Sequence, residues 1–149
     1  MGAYSAQGNR TGSVTLGVLS FEADDTRPRR GLLIEWGFGS EATAASNALL
    51  WTLDRVTAAG AEAGTGVTPT PLHQDDAATE ADALENITVN PTIGVNILAY
   101  PLNQLNTFKW SATPGREPSY TDTASNGFIV LTPTTVAAAI TSILVVDEQ

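Results

Sequence analysis

The stretch HQDDAATEADALEN, residues 73–86, holds the chain's one histidine directly ahead of a run of carboxylates. His73 with Asp75 and Asp76 is the set that could polarise a water or share a metal ion. Hydrolysis through a triad would also need a serine nucleophile placed beside that imidazole. No G-x-S-x-G elbow occurs, and the serines stand in stretches that read as turns. An exposed loop histidine ahead of an acidic helix cap accounts for the same residues. Asp75, Asp76, Glu80, Asp82 and Glu85 could also be weighed as a calcium loop, which needs alternating ligands, a sixth-position glycine and a twelfth-position glutamate. Alanines stand where those ligands should be, so a solvated acidic helix face is the reading that fits. Any two of the sixteen acids could be nominated as a glycosidase pair, so that pattern carries no information.

Other chemistry falls away quickly. There is no cysteine, which excludes disulfides, thiolate metal sites and cysteine nucleophiles. GFG (37–39) and GTG (64–66) lack the lysine and the strand–loop–helix setting of a phosphate cradle. No catalytic residue, metal ligand set or cofactor is therefore assigned. The remaining candidates are contact residues. Arg27, Arg29 and Arg30 sit astride Pro28, where planar guanidinium groups could dock an acidic partner surface. Tyr4 and Arg10 lie in the N-terminal segment, and Tyr120 in a long loop. Trp36, Trp51 and Trp110 alternate with apolar neighbours, the pattern of core residues rather than of sugar platforms.

Charge narrows the partners. Seven basic against sixteen acidic residues give a net charge of −9, which repels nucleic-acid phosphate. Charged residues are only 15% of the chain, against about a quarter in ordinary soluble domains. A surface so poor in charge suits a protein packed against other proteins. No apolar run reaches membrane-spanning length, and MGAYSAQGNR has neither the basic nor the apolar region of a signal peptide.

The elements that must position these residues read as β. Residues 1–12, with glycines at 2, 8 and 12, suggest a flexible arm ahead of a single domain over 13–149. SVTLGVLSFE (13–22) alternates as a half-buried strand through Val14, Leu16 and Val18. In GLLIEWGFG (31–39), Leu32, Ile34, Trp36 and Phe38 share one side, with Leu33, Glu35 and Gly37 on the other. ASNALLWTLDRVTAAGAEAGTG (45–66) could be a helix or a strand. As a helix its apolar residues would spread over more than half the circumference, without a capping box. As a strand, Leu49, Trp51 and Leu53 point one way, and β-branched Thr52, Val56 and Thr57 favour the pleat. Asp54 and Arg55 then face opposite ways and cannot work as a pair, and Ala58–Gly66 becomes a loop. VTPTPL (67–72) is held extended by its prolines. Residues 73–86 have helical composition, with Asp75 as N-cap.

Further strands are expected at 87–90, 92–101, 103–112, 127–133 and 135–148, the last alternating through Val136, Ala138, Ile140, Ser142, Leu144 and Val146. About eight strands, one short helix and no βαβ rhythm predict an all-β chain folded as an antiparallel, jelly-roll-like sandwich.

The order of NALLWTLDRVTAAG (47–60), GVTPTPL (66–72) with DDAA (75–78), NITVNPT (86–92), LNQLNTFKWSATPG (102–115) and TASNGFIVL (123–131) resembles small head proteins of tailed bacteriophages. That group acts as capsid decoration, or cement, proteins, and the resemblance spans residues 29–149. It implies a virion protein on the outer capsid surface, made in the host cytoplasm, that clamps major capsid subunits without catalysis. It also implies a homo-oligomer, a trimer, whose rotational contact would use the strand pair holding Glu35 or Lys109. Two rival readings remain. A carbohydrate- or receptor-binding module of a phage tail would need exposed aromatics near Tyr120, and a small hydrolase would need His73 in a pocket.

Overall fold

The computed structural model describes residues 2–11, 15–41, 44–133 and 138–149. Its elements are strands: β1 (Gly2–Thr11), β2 (Gly17–Ala23), β3 (Gly31–Ser40), β4 (Ala48–Ala58), β5 (Ala63–Val67), β6 (Thr70–Pro71), β7 (Ala81–Val89), β8 (Thr92–Asn103), β9 (Phe108–Ser111), β10 (Ser119–Tyr120), β11 (Gly127–Leu131) and β12 (Ala139–Glu148). They form two antiparallel six-stranded sheets. Sheet A runs β10-β3-β12-β1-β6, with β9 also paired to β3, and sheet B runs β5-β7-β2-β11-β4-β8. The all-β sandwich is as expected, with twelve strands rather than about eight.

Each sheet turns one side of its strands into the common core. Leu33, Trp36 and Phe38 meet Leu49, Trp51, Leu53, Phe128 and Val130 there, all buried. Aromatic rings knit one end of this interior. Trp36 and Phe38 centroids lie 4.5 Å apart, Phe38 and Trp51 4.6 Å, and Tyr100 and Phe108 4.8 Å. The indole of Trp36 donates to Ser142 Oγ at 3.2 Å, and that hydroxyl donates to the Gly37 carbonyl at 3.1 Å, so the buried polar atoms are satisfied. Trp110 packs partly buried against the same core, as its alternation suggested.

Four expectations are corrected. The arm is β1, in antiparallel register with β12 from Gly2–Glu148 to Thr11–Ala139. Its glycines mark close approach rather than looseness: a Cβ on Gly8 would lie 2.8 Å from Glu85 Cβ and 3.0 Å from Leu19 Cδ1. The helix over 73–86 is a turn followed by β7, where Ala81 and Ala83 are buried beside β2 and Asp82 between them is exposed. A period of two among alanines won over helical composition. In β3 the alternation slips, because Glu35 pairs with Val145 while Leu33 pairs with Val146. Ile34 is the extra residue of a bulge, so Leu33 joins Trp36 and Phe38 inside instead of opposing them. The segment 58–66 also contains β5 rather than loop alone. Val14 and Val136, assigned to strands, lie outside the described residues.

Sheet B does more than cover sheet A. Residues 59–62 alone connect β4 to β5, although β7, β2 and β11 lie between those strands in the sheet. Four flat strand spacings would be about 19 Å, while five chain steps reach about 17 Å at most. The sheet must therefore roll at that end. The roll encloses a second apolar cluster, Val56, Ile87, Ile129 and Leu131 with Leu84 against it, on the side of sheet B away from sheet A.

Candidate docking surface

The residues nominated for chemistry do not converge. His73 is exposed in the turn after β6, its carbonyl accepting from the Asp76 N–H at 3.1 Å. Among the described residues no group of three or more His, Cys, Asp or Glu side chains could hold a metal ion. Asp54 and Arg55 point to opposite faces of β4, as strand geometry requires. Asp54 accepts from Asn96 Nδ2 at 3.1 Å, while the Arg55 guanidinium donates to the Ser119 carbonyl.

Half of the nominated contact residues are internal. Tyr4 is 3% exposed and its hydroxyl donates to the Ala77 carbonyl at 2.9 Å, tying β1 to the turn before β7. The half-buried Arg10 guanidinium donates to the carbonyls of Gly17, at 3.4 Å, and Ile87, and burial lowers its pKa. Tyr120, expected in an exposed loop, is 2% exposed in β10 with its ring 5.4 Å from Phe128, edge to face. Burial there, with Glu148 and Glu22 nearby, pushes its phenol pKa up. A Cβ on Gly31, its β3 partner, would run into that ring. The exposed aromatic that a glycan reading needed is therefore inside the protein. Arg27, Arg29 and Arg30 remain exposed on the β2–β3 connection; Arg27 lies 3.5 Å from Glu80 in an exposed pair of little energetic weight.

A different surface has the shape of a binding site. On the outer side of sheet A a groove of about 410 Å³ opens over β3, β9 and β12. Cross-strand pairing orders its rows. Val145 stands beside Glu35, Gly37 lies between Ile143 and Lys109, and Thr141 stands beside Gly39. Phe108 and Thr107 form one wall. Gly37 and Gly39 leave the floor bare, but for different reasons. A Cβ on Gly39 would sit 2.8 Å from Thr107 Cγ2, whereas one on Gly37 would meet nothing closer than the Phe108 carbonyl at 3.9 Å. Packing does not require a glycine at 37; the groove does. At the rim Lys109 Nζ reaches Glu35 Oε2 at 2.7 Å, with side chains 62% and 33% exposed, so these two charges cancel, while at the other end the exposed Glu41 carboxylate accepts from Thr141 Oγ1.

Two of the groove residues, Thr107 and Phe108, end a long uncharged stretch. Residues 87–108 contain no Asp, Glu, Lys or Arg, in a chain that carries twenty-three such side chains elsewhere. They supply the edge strand β8, whose Val95 is 67% exposed, and the turn carrying Leu105, 63% exposed. Edge strands normally guard themselves against pairing. Here bulges opposite Asp54 and Val56, and Pro101 with no N–H to give, interrupt the ladder, so this border is suited to contact through side chains. A contact on the strand pair holding Glu35 or Lys109 was expected; their ion pair and the glycine floor were not, although GFG inside β3 is the trace of that floor. The gap in charge from 87 to 108 was there to be counted.

No protein-family profile matches the chain, and no curated protein matches it in sequence. Among solved structures, one chain of Desmodium yellow mottle tymovirus is similar at 10% identity and a TM-score of 0.32, over 99% of this chain and 87% of that one. Chains of infectious bursal disease virus, Gt and Gx strains, are similar at 12% and 15% identity with TM-scores of 0.15, over 98% and 97% of this chain but 41% and 36% of theirs. Likeness at these TM-scores is too loose to bear on function.

Proposed function

We propose that this chain is a structural protein of a tailed-phage virion that decorates the outside of the capsid as a homotrimer and clamps major capsid subunits, without catalysis. The observation that carries the reading is the groove on sheet A, an apolar, glycine-floored and charge-poor face on a stiff sheet. Its occupant in this reading is a second copy of the chain. Copies that each carry −9 repel one another, which favours contact where charge is sparse. The face around Gly37, which the uncharged 87–108 stretch reaches at Thr107 and Phe108, is such a place. A rotational contact there leaves the exposed Arg27, Arg29 and Arg30 turn free for an acidic capsid surface.

Energetically, a protein that binds assembled shells and not their dissociated subunits stabilises the shell by mass action. Three linked copies multiply a modest contact, because the second and third engage at high effective concentration. The sequence resemblance to capsid decoration proteins supports the same role. The test is to mix the purified chain with expanded phage shells lacking decoration and reconstruct them at low resolution. Added protrusions at repeated lattice positions, together with a solution mass of three chains, are the expected result. Bare shells with a monomer mass would overturn the reading.

A further inference from the structure

The rolled side of sheet B holds a group that the adhesive reading does not use. Glu22 lies on β2 with 3% of its surface exposed. Strand alternation puts Leu19, Phe21 and Ala23 into the main core and Glu22 on the opposite side, between Asp82 of β7 and Gly127 of β11. Gly127 makes room for it, since a Cβ there would fall 2.7 Å from Glu22 Cγ. Neither Glu22 oxygen makes a well-formed hydrogen bond, nor does Glu62 Oε2; the hydroxyl of Ser20, two residues back on the same side of β2, is the one nearby group that favours the charged form of Glu22. Glu62 is the last residue of the short β4–β5 connection, which Gly60 turns at φ +64° and the Glu62 N–H closes onto the Ala59 carbonyl at 3.2 Å.

Two facing carboxylates cannot bond each other, but a carboxylic acid and a carboxylate can. We propose that Glu22 and Glu62 form a proton-locked latch: one shared proton bridges them, fastening the β4–β5 turn over the rolled side of sheet B, and loss of that proton releases the turn and β5 with it. Only a proton moves, from the acid of the pair to solvent base, and no other bond changes.

The surroundings favour holding the proton. Asp82 on β7 and Glu62 itself raise the cost of charge on Glu22, and Asp25 and Asp82 do the same to Glu62. Asp24 and Asp25, on the β2–β3 connection, in turn act on Asp82. Tyr120, reached by the field of Glu22, is a neutral phenol. Gly127 from β11 and Val56 from β4 add no charge. Burial, followed by the neighbouring Glu62, pushes the Glu22 carboxyl up from 4.5 to about 9, and burial raises that of Glu62 as well.

The linkage has a definite sign. Well below pH 4.5, Glu22 is protonated in folded and unfolded chains alike and the latch has no cost. Between about 4.5 and about 9 the unfolded chain releases a proton that the folded chain keeps, so stability falls as pH rises. Above about 9 the folded group ionises too and the latch opens.

The experiment follows thermal unfolding and hydrogen exchange of the full chain from pH 5 to 9.5, for the parent, Glu22→Gln, Glu62→Gln and the exposed control Asp122→Asn. In the parent and in Asp122→Asn, Tm should fall by several degrees across that range. Exchange over residues 59–66 should also accelerate about tenfold beyond the intrinsic base-catalysed rise. In Glu22→Gln, where an amide supplies the donor permanently, Tm should stay level and lie above the parent at pH 8.5, with exchange following the intrinsic rate alone. Parallel Tm profiles in the parent and Glu22→Gln would overturn the latch, as would exchange at 59–66 that is indifferent to both substitutions. If Glu22→Gln does not fold, Glu62→Gln, on the half-exposed turn, decides the same question by the same readings.

Discussion

The two outer sides of this sandwich have opposite fates. On sheet A the outer rows hold Gly37, Gly39, Ile143 and one cancelled ion pair, and they remain open. On sheet B the outer rows hold Ile129, Leu131, Val56 and Glu22, and the roll of the sheet seals them. The difference comes from connection lengths. A four-residue link between β4 and β5 forces closure on one side, while β9 and β10 merely share the edge of β3 on the other. A sealed side adds stability and tolerates no change of volume. An open side adds none and is free to be shaped for a partner. Substitutions that cost folding should therefore cluster on sheet B, and those that cost association on sheet A.

The sharpest form of this contrast is a pair of glycines. Gly127→Ala puts a Cβ 2.7 Å from the Glu22 Cα and Cγ, with backbone that cannot yield, and should cost about 3 kcal/mol or prevent folding. Gly37→Val, by contrast, finds open space and should leave Tm within about 2 °C of the parent. Filling the groove should also reduce the solution mass from trimer to single chain. Thermal melts and sedimentation of the two variants read both effects. A stable Gly127→Ala protein, or a Gly37→Val protein of unchanged mass, would erase the division between the sides.

Two isoleucines repeat the comparison at smaller scale. Ile129 is fully buried in the second cluster, so Ile129→Ala should cost about 2–4 kcal/mol in chemical denaturation. Ile143, 38% exposed in the groove wall, should cost about 1 kcal/mol or less as alanine while weakening self-association. Glu22→Gln runs the other way on the sealed side. Replacing a buried acid by an amide should stabilise the fold by about 1 kcal/mol or more at pH 8 and by almost nothing at pH 5, because the folded carboxyl sits near 9 rather than 4.5.

The same division explains what the sequence disclosed. Sheet interiors were legible wherever a strand kept strict alternation, as in Leu49, Trp51, Leu53 or Ile140, Ser142, Leu144. Alternation fails at β3, where one bulged residue, Ile34, reverses every assignment before it. It is silent at β1, whose glycines and small residues look like disorder until β12 lies beside them. Residues 73–86 deceived through composition, because alanines serve helices and tightly packed strands alike. Tyr120 was misplaced for a related reason: two residues of pairing to β3 bury it, and no periodicity can show in two residues. The groove was half visible. The strand pair holding Glu35 or Lys109 could be suspected of making the contact, but the open floor depends on which β12 residues lie beside Gly37, a matter of register.

The smallest expected effect tests the open side most directly. Lys109 and Glu35 are 62% and 33% exposed, so their attraction in the lone chain is screened, and breaking it should shift stability by about 0.5 kcal/mol or less. If a second copy covers the groove, the pair enters a drier environment, and an unpaired charge left there becomes expensive. Lys109→Ala or Glu35→Ala alone should then weaken association at least about tenfold while leaving Tm nearly unchanged. Removing both together should recover much of the loss, since two neutral groups are cheaper to cover than one orphaned charge. Reversing both, Lys109→Glu with Glu35→Lys, should restore the pair as well. Sedimentation equilibrium on the two single, the double and the reversed variants gives the cycle. Additive losses would place the pair outside any contact, and the open side would then need another explanation than a neighbouring copy.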